Sequence, residues 1–400
     1  QQQQQQQPQQ QRQQPNRAKP KLPAPGLGVR QSGYSTAQIH SIYCAHRRLS
    51  EDAGGGGSDG SNASGGKSAD TVEKESKFAS LIGAAATNMD ELRRLAWSGV
   101  THTVRPIVWK LLIKYAPVNS SRRAAVLQEK RRMYAGMVDE YYGKRTQPAN
   151  DGMYKQILKD LVRMTVLAEH TQFHQVFARI LFIWSMRRPA STYVQGMNDL
   201  VTPYFIVYLS EYCTVDVDSS DRLRLRGEPP NDSELASIEA DCYWSLSALL
   251  DTIQENFVFP QPGIQQNVLA LRKIIQRVDG DLDSHLERHD VEYLQFAFRW
   301  MNNLLMREIP LRCIIRLWDT YHSEVDGFSH FHLYVCAAFL LRFSRDLKRE
   351  SDFQGLMLML QDLPTHQWGD EEVTLLLAEA FKLKSWFADA PNHLDKAIHS

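Results

Sequence analysis

From residue 79 onward the chain writes its apolar residues at helical intervals. Val104, Ile107, Val108, Leu111, Leu112 and Tyr115 fall at i, i+3, i+4, i+7, i+8 and i+11, one stripe along a helix. Pro106 stands just inside its start, where a missing N–H costs nothing, and Pro117 follows its end. Asn88 with Glu91 marks an earlier helix start, and Gly99 a stop. Val176, Phe177, Ile180, Leu181 and Trp184 form another stripe, closed by Pro189. The same period returns in 235–253, 264–278, 291–306, 311–321, 331–343 and 373–383, whereas period-two alternation is scarcely visible. No fixed repeat period runs through these blocks, which argues against a regular solenoid. The pattern predicts an all-α fold, one large multi-helix domain over 79–400, interrupted by a long polar surface loop near 214–231.

The first 78 residues are written differently. Residues 1–33 are rich in Gln and Pro, and 53–68 are almost entirely Gly, Ser, Asn and Ala. Neither can bury enough surface to offset the entropy of ordering, so 1–78 is expected to be a mostly disordered arm. Within it, Ser35 and Gln38 resemble a capping box ahead of Ile39, Ile42 and Tyr43, so 35–49 reads as a frayed helix or as an adaptor-docking segment. Gly65-Gly66-Lys67-Ser68 ends like a phosphate-binding loop, but the first glycine of that loop would be at 61, which is Ser61. Without that glycine, a preceding strand and a following helix, no nucleotide site is expected there.

Composition narrows the function classes. Lys plus Arg equals Asp plus Glu at 46 each, so nothing in net charge points to nucleic acid or an anionic membrane. With 43% hydrophobic residues a sizeable core is available, yet the longest apolar runs reach only half the length that spans a bilayer. The five cysteines are scattered and never spaced C-x-x-C, which suits a reducing compartment. No signal peptide or prenylation box is evident, and the chain opens at Gln1 rather than Met, so no address is read from its start. The expectation is a cytoplasmic protein without direct membrane insertion.

Three polar strings sit beside helix boundaries. Arg105 and Trp109 are an i,i+4 pair; Ile157-Leu158-Lys159-Asp160-Leu161-Val162-Arg163 follows; Tyr193-Val194-Gln195-Gly196 occupies the break between two helices, the second beginning near Asn198. Composition does not connect them. In this order they resemble the R-x-x-x-W, I-x-x-D-x-x-R and Y-x-Q-G signatures of the TBC domain of Rab GTPase-activating proteins. Arg316-Leu317-Trp318-Asp319 continues the likeness, and the phrases at 238–241 and 261–266 resemble the Golgi-associated subfamily.

The resemblance implies a dual-finger mechanism supplied in trans. Arg163 would donate a forked, permanently charged guanidinium to the transferring phosphoryl group. Gln195 would orient the attacking water in place of the GTPase's own glutamine. Asp160 would position the finger by bonding backbone or Arg105. Tyr193, Gly196, Arg105, Trp109, Trp318 and Asn198 would brace or wall the site, with Gly196 allowing the tight turn. GTP and Mg²⁺ would be carried by a GTP-bound Rab-family partner, with no cofactor or metal of the chain's own. The implied place of work is peripheral to Golgi or vesicle membranes. Members of this type commonly carry Pro before the finger and Thr after it; here these are Val162 and Met164, which implies a less preorganised Arg163. The alternative function is therefore a Rab-binding scaffold with weak or no activity. His285-Leu286-Glu287-Arg288-His289 has two histidines on one helical turn but lacks the H-E-x-x-H order and a third ligand, so a solvated helix face is expected.

Overall fold

The computed structural model describes residues 69–387. The Gln/Pro and Gly/Ser segments, the 35–49 segment and the 65–68 string lie outside the described residues. The helices run α1 (Ala69–Gly83), α2 (Met89–Trp97), α3 (Arg105–Leu112), α4 (Arg123–Tyr141), α5 (Pro148–Val162), α6 (His174–Arg187) and α7 (Met197–Leu209). A hairpin of β1 (Thr214–Val217) and β2 (Leu223–Arg226) follows. Then come α8 (Asp232–Thr252), α9 (Pro262–Val278), α10 (Gly280–Arg288), α11 (Tyr293–Asn303), α12 (Leu311–Ser323), α13 (His332–Arg342), α14 (Ser344–Leu347), α15 (Phe353–Gln361) and α16 (Asp370–Phe387).

Caps written in the sequence start these helices. The Asn88 side chain accepts from the N–H groups of Asp90 and Glu91, satisfying two of the orphan donors of α2. Asn231 and Glu234 close a reciprocal capping box on α8. The apolar stripe of α3 is wholly buried in a small core with Phe78 and Ile82 of α1 and Leu92 and Ala96 of α2. Trp109, off that stripe, enters the larger core instead, so α3 is held from both sides. At the centre lies α7, buried on nearly every face and packed against α3, α5, α6, α8, α11 and α12.

Four differences from the sequence reading have physical causes. Helix begins at Ala69, ahead of the boundary expected at 79, because Phe78 and Ile82 dock α1 onto α2 and α3. The stretch near 214–231 is not simply a loop: Thr214 pairs with Arg226 and Val217 with Leu223 in an antiparallel hairpin. Its short alternation turns Val215, Val217, Leu223 and Leu225 toward the core. Helix α4 left little periodic signal since only Arg123, Leu127 and Tyr134 on it are buried. His285 is not on a solvated face; it is buried, and its Nε2 meets the Glu350 carbonyl at 3.0 Å, which gives that ring a structural partner.

Candidate functional site

Helix α5 ends at Val162, and Arg163 is its C-cap residue. The Arg163 N–H donates to the Asp160 carbonyl at 3.2 Å and the Met164 N–H to that of Leu161 at 3.1 Å, tightening the last turn. Burial of Ile157, Leu161 and Met164 fixes that turn against the core. Arg163 is thereby aimed outward with its side chain 70% exposed. Its nearest carboxylate, Asp160, stands 3.8 Å from Nη1, too far for a hydrogen bond. The guanidinium thus makes a loose ion pair at most and keeps its N–H donors toward solvent. Val162 is 74% exposed beside it, whereas Met164 is buried.

Gln195 sits on the loop between α6 and α7. The Arg188 carbonyl accepts from Ser191 N–H at 3.0 Å and Thr192 N–H at 2.9 Å, which turns the chain back. Tyr193 is buried, Gln195 is exposed, and Gly196 takes φ +105°. A Cβ at Gly196 would lie 2.5 Å from Asn302 Nδ2 and 2.9 Å from Asn303 Oδ1, so both backbone angle and space demand glycine. Asn302 Nδ2 donates to the Gln195 carbonyl at 3.1 Å, and the Gly196 N–H donates to Asn198 Oδ1 at 3.2 Å. The side chain of Gln195 is left facing outward while its backbone is pinned.

One hydrogen bond joins the supports of Arg163 and Gln195. The Tyr193 hydroxyl donates to Asp160 Oδ2 at 2.9 Å, linking a residue just ahead of Gln195 to one a turn before Arg163. Gln156 Nε2 approaches both Asp160 oxygens at 3.1 Å, so neutral donors satisfy this buried carboxylate. Burial, then the Asp160 charge, pushes the Tyr193 hydroxyl well above its usual range, keeping it a donor. Below this link, Asp199 accepts from Asn303 Nδ2 at 2.5 Å and Arg307 Nε at 2.8 Å. Burial raises the Asp199 carboxyl, and Arg307 opposes that rise.

Asp160, Arg163, Gln195, Asn198 and Asp199 line one open cleft of about 520 Å³. Its far wall includes Ser219 and Asp221 at the hairpin tip and Leu311 at the start of α12. The hairpin is stapled on both sides. Glu169, in the segment after Arg163, pairs with Arg222 at 3.5 Å and with Arg224, while the Asp221 carboxylate accepts from the Leu311 N–H at 2.9 Å. Asp221 therefore ties the tip to the N-terminus of α12.

Arg105, Trp109 and Trp318 do not wall this cleft, and Asp160 does not bond Arg105. Arg105 is taken by Asp319, with Nε 3.0 Å from Oδ1 and Nη2 3.1 Å from Oδ2. Trp109 Nε1 donates to Asp319 Oδ1 at 2.7 Å, and the Val100 N–H to Oδ2 at 2.8 Å. Two of the sequence signatures are thus two halves of one buried knot between α3 and α12. Trp318 packs among Trp109, Tyr204 and Phe328. Asn302, Asn303, Asp199 and Arg307 went unnoticed in the sequence. The available signal was an Asn-Asn pair closing the amphipathic α11, a polar doublet ahead of Leu304 and Leu305, both at left-handed φ. Among the described residues no group of three His, Cys, Asp or Glu could hold a metal ion, and no helix is long and apolar enough to cross a membrane.

The Rab-GTPase-TBC domain family model matches residues 102–348. Human TBC1 domain family member 22B is 52% identical over 337 residues, 83% of this chain and 66% of that protein. The GTPase-activating protein gyp1 of Schizosaccharomyces pombe is 42% identical over 331 residues, 81% of this chain and 63% of that protein. The chain therefore spans somewhat under two thirds of the length of these curated relatives. Among solved structures, the crystal structure of the Ypt/Rab-GAP domain of Gyp1p superposes with a TM-score of 0.72 at 37% identity, covering 79% of this chain and 99% of that one. With more than half its length inside the family model and the signature residues gathered as described, the chain belongs to the Rab-GTPase-TBC domain family.

Proposed function

We propose that this chain accelerates GTP hydrolysis on a Rab-family GTPase, with Arg163 and Gln195 entering the partner's nucleotide site together. The observation that carries the reading is the pairing of an exposed, loosely held guanidinium with an exposed amide on one cleft, their supports joined by Tyr193 and Asp160. The names of the gyp1 relative and of the Gyp1p domain support it. Charge builds on the phosphoryl oxygens as the bond to the leaving group loosens, and Arg163 supplies two N–H donors there. Gln195 accepts from the attacking water and donates to a phosphate oxygen, holding the water in line. GTP and Mg²⁺ arrive with the partner, and Golgi or vesicle membranes are the proposed setting.

The test is single-turnover GTP hydrolysis over a panel of Rab proteins. Wild type should stimulate at least one of them. Gln195→Ala should lower that stimulation about 10²–10³-fold, the cost of losing one preorganised donor. A Rab whose own glutamine is replaced should still respond to wild type. The exposed Val162, standing where a proline would stiffen the backbone, favours a second reading as a Rab-binding scaffold. Binding without stimulation of any Rab would select the scaffold.

A further inference from the structure

A second concavity, sharing no lining residue with the finger cleft, opens where the C-terminal ends of α3 and α6 meet α4 and α8. Its volume is about 520 Å³. Lys114, Lys130, Arg187 and Arg188 line it against one carboxylate, Asp251, so four positive charges less one negative leave +3. The whole chain balances at 46 of each sign, so composition does not explain this excess.

Asp251 is already taken, 2.5 Å from Arg188 Nη2. Among the described residues no carboxylate lies within 4.0 Å of Lys114, Lys130 or Arg187. Their neighbours are neutral. Lys130 Nζ sits 4.3 Å from the centroid of Trp244, whose indole N–H donates to the Lys130 carbonyl at 2.9 Å. Arg187 Nη1 donates to the Tyr243 hydroxyl at 2.9 Å. Ser247 in the wall is buried, and its hydroxyl finds no partner. A helix C-terminus favours a nearby cation, which accounts for Lys114 after α3 and for Arg187 and Arg188 at the end of α6. It does not account for Lys130, in the middle of α4, nor for the convergence of all four. Lys114 also holds φ +61°, a left-handed position that glycine usually fills.

We infer that this concavity binds a compact anion carrying two or more phosphate groups, the chemistry of an inositol polyphosphate, free or as a lipid headgroup. Uncompensated cations from three separate elements call for more than one anionic group. The Arg187 guanidinium matches phosphate oxygens, and Trp244 with Tyr243 offers an apolar flank to a ring. The site lies at the root of the Gln195 loop, since Arg188 both lines the concavity and caps that loop through its carbonyl. None of this depends on the proposed GTPase activity.

The test is equilibrium titration of the full chain with inositol 1,4,5-trisphosphate at low salt, where exposed charges are least screened. Saturable binding is expected, weakened at least about tenfold in the Lys114→Glu, Lys130→Glu double variant, which should remain folded with an unfolding midpoint only slightly below wild type. Flotation with phosphatidylcholine vesicles containing phosphatidylinositol 4,5-bisphosphate then separates the sources. Retention on those vesicles, but not on phosphatidylserine vesicles of equal charge, assigns a lipid headgroup. Soluble binding without flotation assigns a free anion. No saturable binding, undiminished binding by the double variant, or flotation that follows total vesicle charge alone would overturn the inference.

Discussion

Lys110 and Arg163 are both cations beside an aspartate, yet their surroundings are opposite. Lys110 is buried, its Nζ 2.7 Å from Glu211 Oε1 and 2.7 Å from Asp241 Oδ2. Arg131 and the Tyr115 hydroxyl close the remaining valences of Asp241 at 2.7 Å each. Burial pushes the Asp241 carboxyl up, but Lys110 and Arg131 outweigh it and hold that carboxyl below its usual range. Next to it, Glu239 is closed in the same manner by Arg179 at 2.6 Å and the Tyr134 hydroxyl at 2.7 Å. Arg163 is held far more loosely: its guanidinium reaches solvent 3.8 Å from Asp160, whose hydrogen bonds come from Gln156 and Tyr193 instead. A buried ion knot specifies how α3, α4 and α8 meet, and no valence is left for a partner. A side chain proposed to act on a partner must keep its valences, and Arg163 gives up no more than a loose 3.8 Å approach to Asp160.

The contrast can be broken from either side. The largest effect should come from Arg163→Ala, which lowers single-turnover stimulation by about 10³-fold or more. Because that side chain closes nothing, its urea midpoint should stay at the wild-type value; a large drop in stability would show that it is structural. Asp241→Ala should do the reverse, costing about 3–5 kcal/mol of folding free energy by stranding Lys110 and Arg131. Chemical denaturation measures it, and a loss under about 1 kcal/mol would mean Glu211 alone suffices for Lys110.

Acid should sharpen the comparison next. Burial, reinforced for His322 by the Arg93 charge, holds His322 down to about 3, and burial holds His332 down to about 4. Both are buried in the neutral form. Their folded pKa lies below the unfolded value near 6.5, so the unfolded chain binds more protons between these limits. Stability is therefore full above about 6.5 and falls as pH drops, by up to about 1.4 kcal/mol per pH unit for each histidine. Urea midpoints at pH 7 and pH 5 test this, and equal midpoints would count against it. The smallest effect belongs to Tyr193→Phe, which removes only the hydroxyl that links the supports of Arg163 and Gln195. A loss of about tenfold in stimulation, about 1.4 kcal/mol, with Rab affinity unchanged would identify Tyr193 as a positioning residue.

Much of the fold was legible because helical period and capping are local. Asn88 and Pro106 start helices where their chemistry requires, and the stripe from Val104 to Tyr115 is buried throughout. Helix α4 was not legible, since a helix mostly exposed carries little apolar period. The hairpin was missed for another reason: strands of four residues are too short for alternation to stand out from a polar stretch. In the cleft, Arg163 and Gln195 were found through their signatures, while the Asn302–Asn303 clamp on Gly196 was not.

The sequence by itself determined most of the helices, which of their faces are apolar, and where the family's signature residues Arg163 and Gln195 stand. Only the tertiary structure decided how the polar groups pair. Arg105 met Asp319, 214 positions away, rather than Asp160, and Asp160 met Tyr193. A period along the chain states that a face will be buried. It cannot state what will be buried against it, because buried polar groups take whichever partners the packed helices bring within reach.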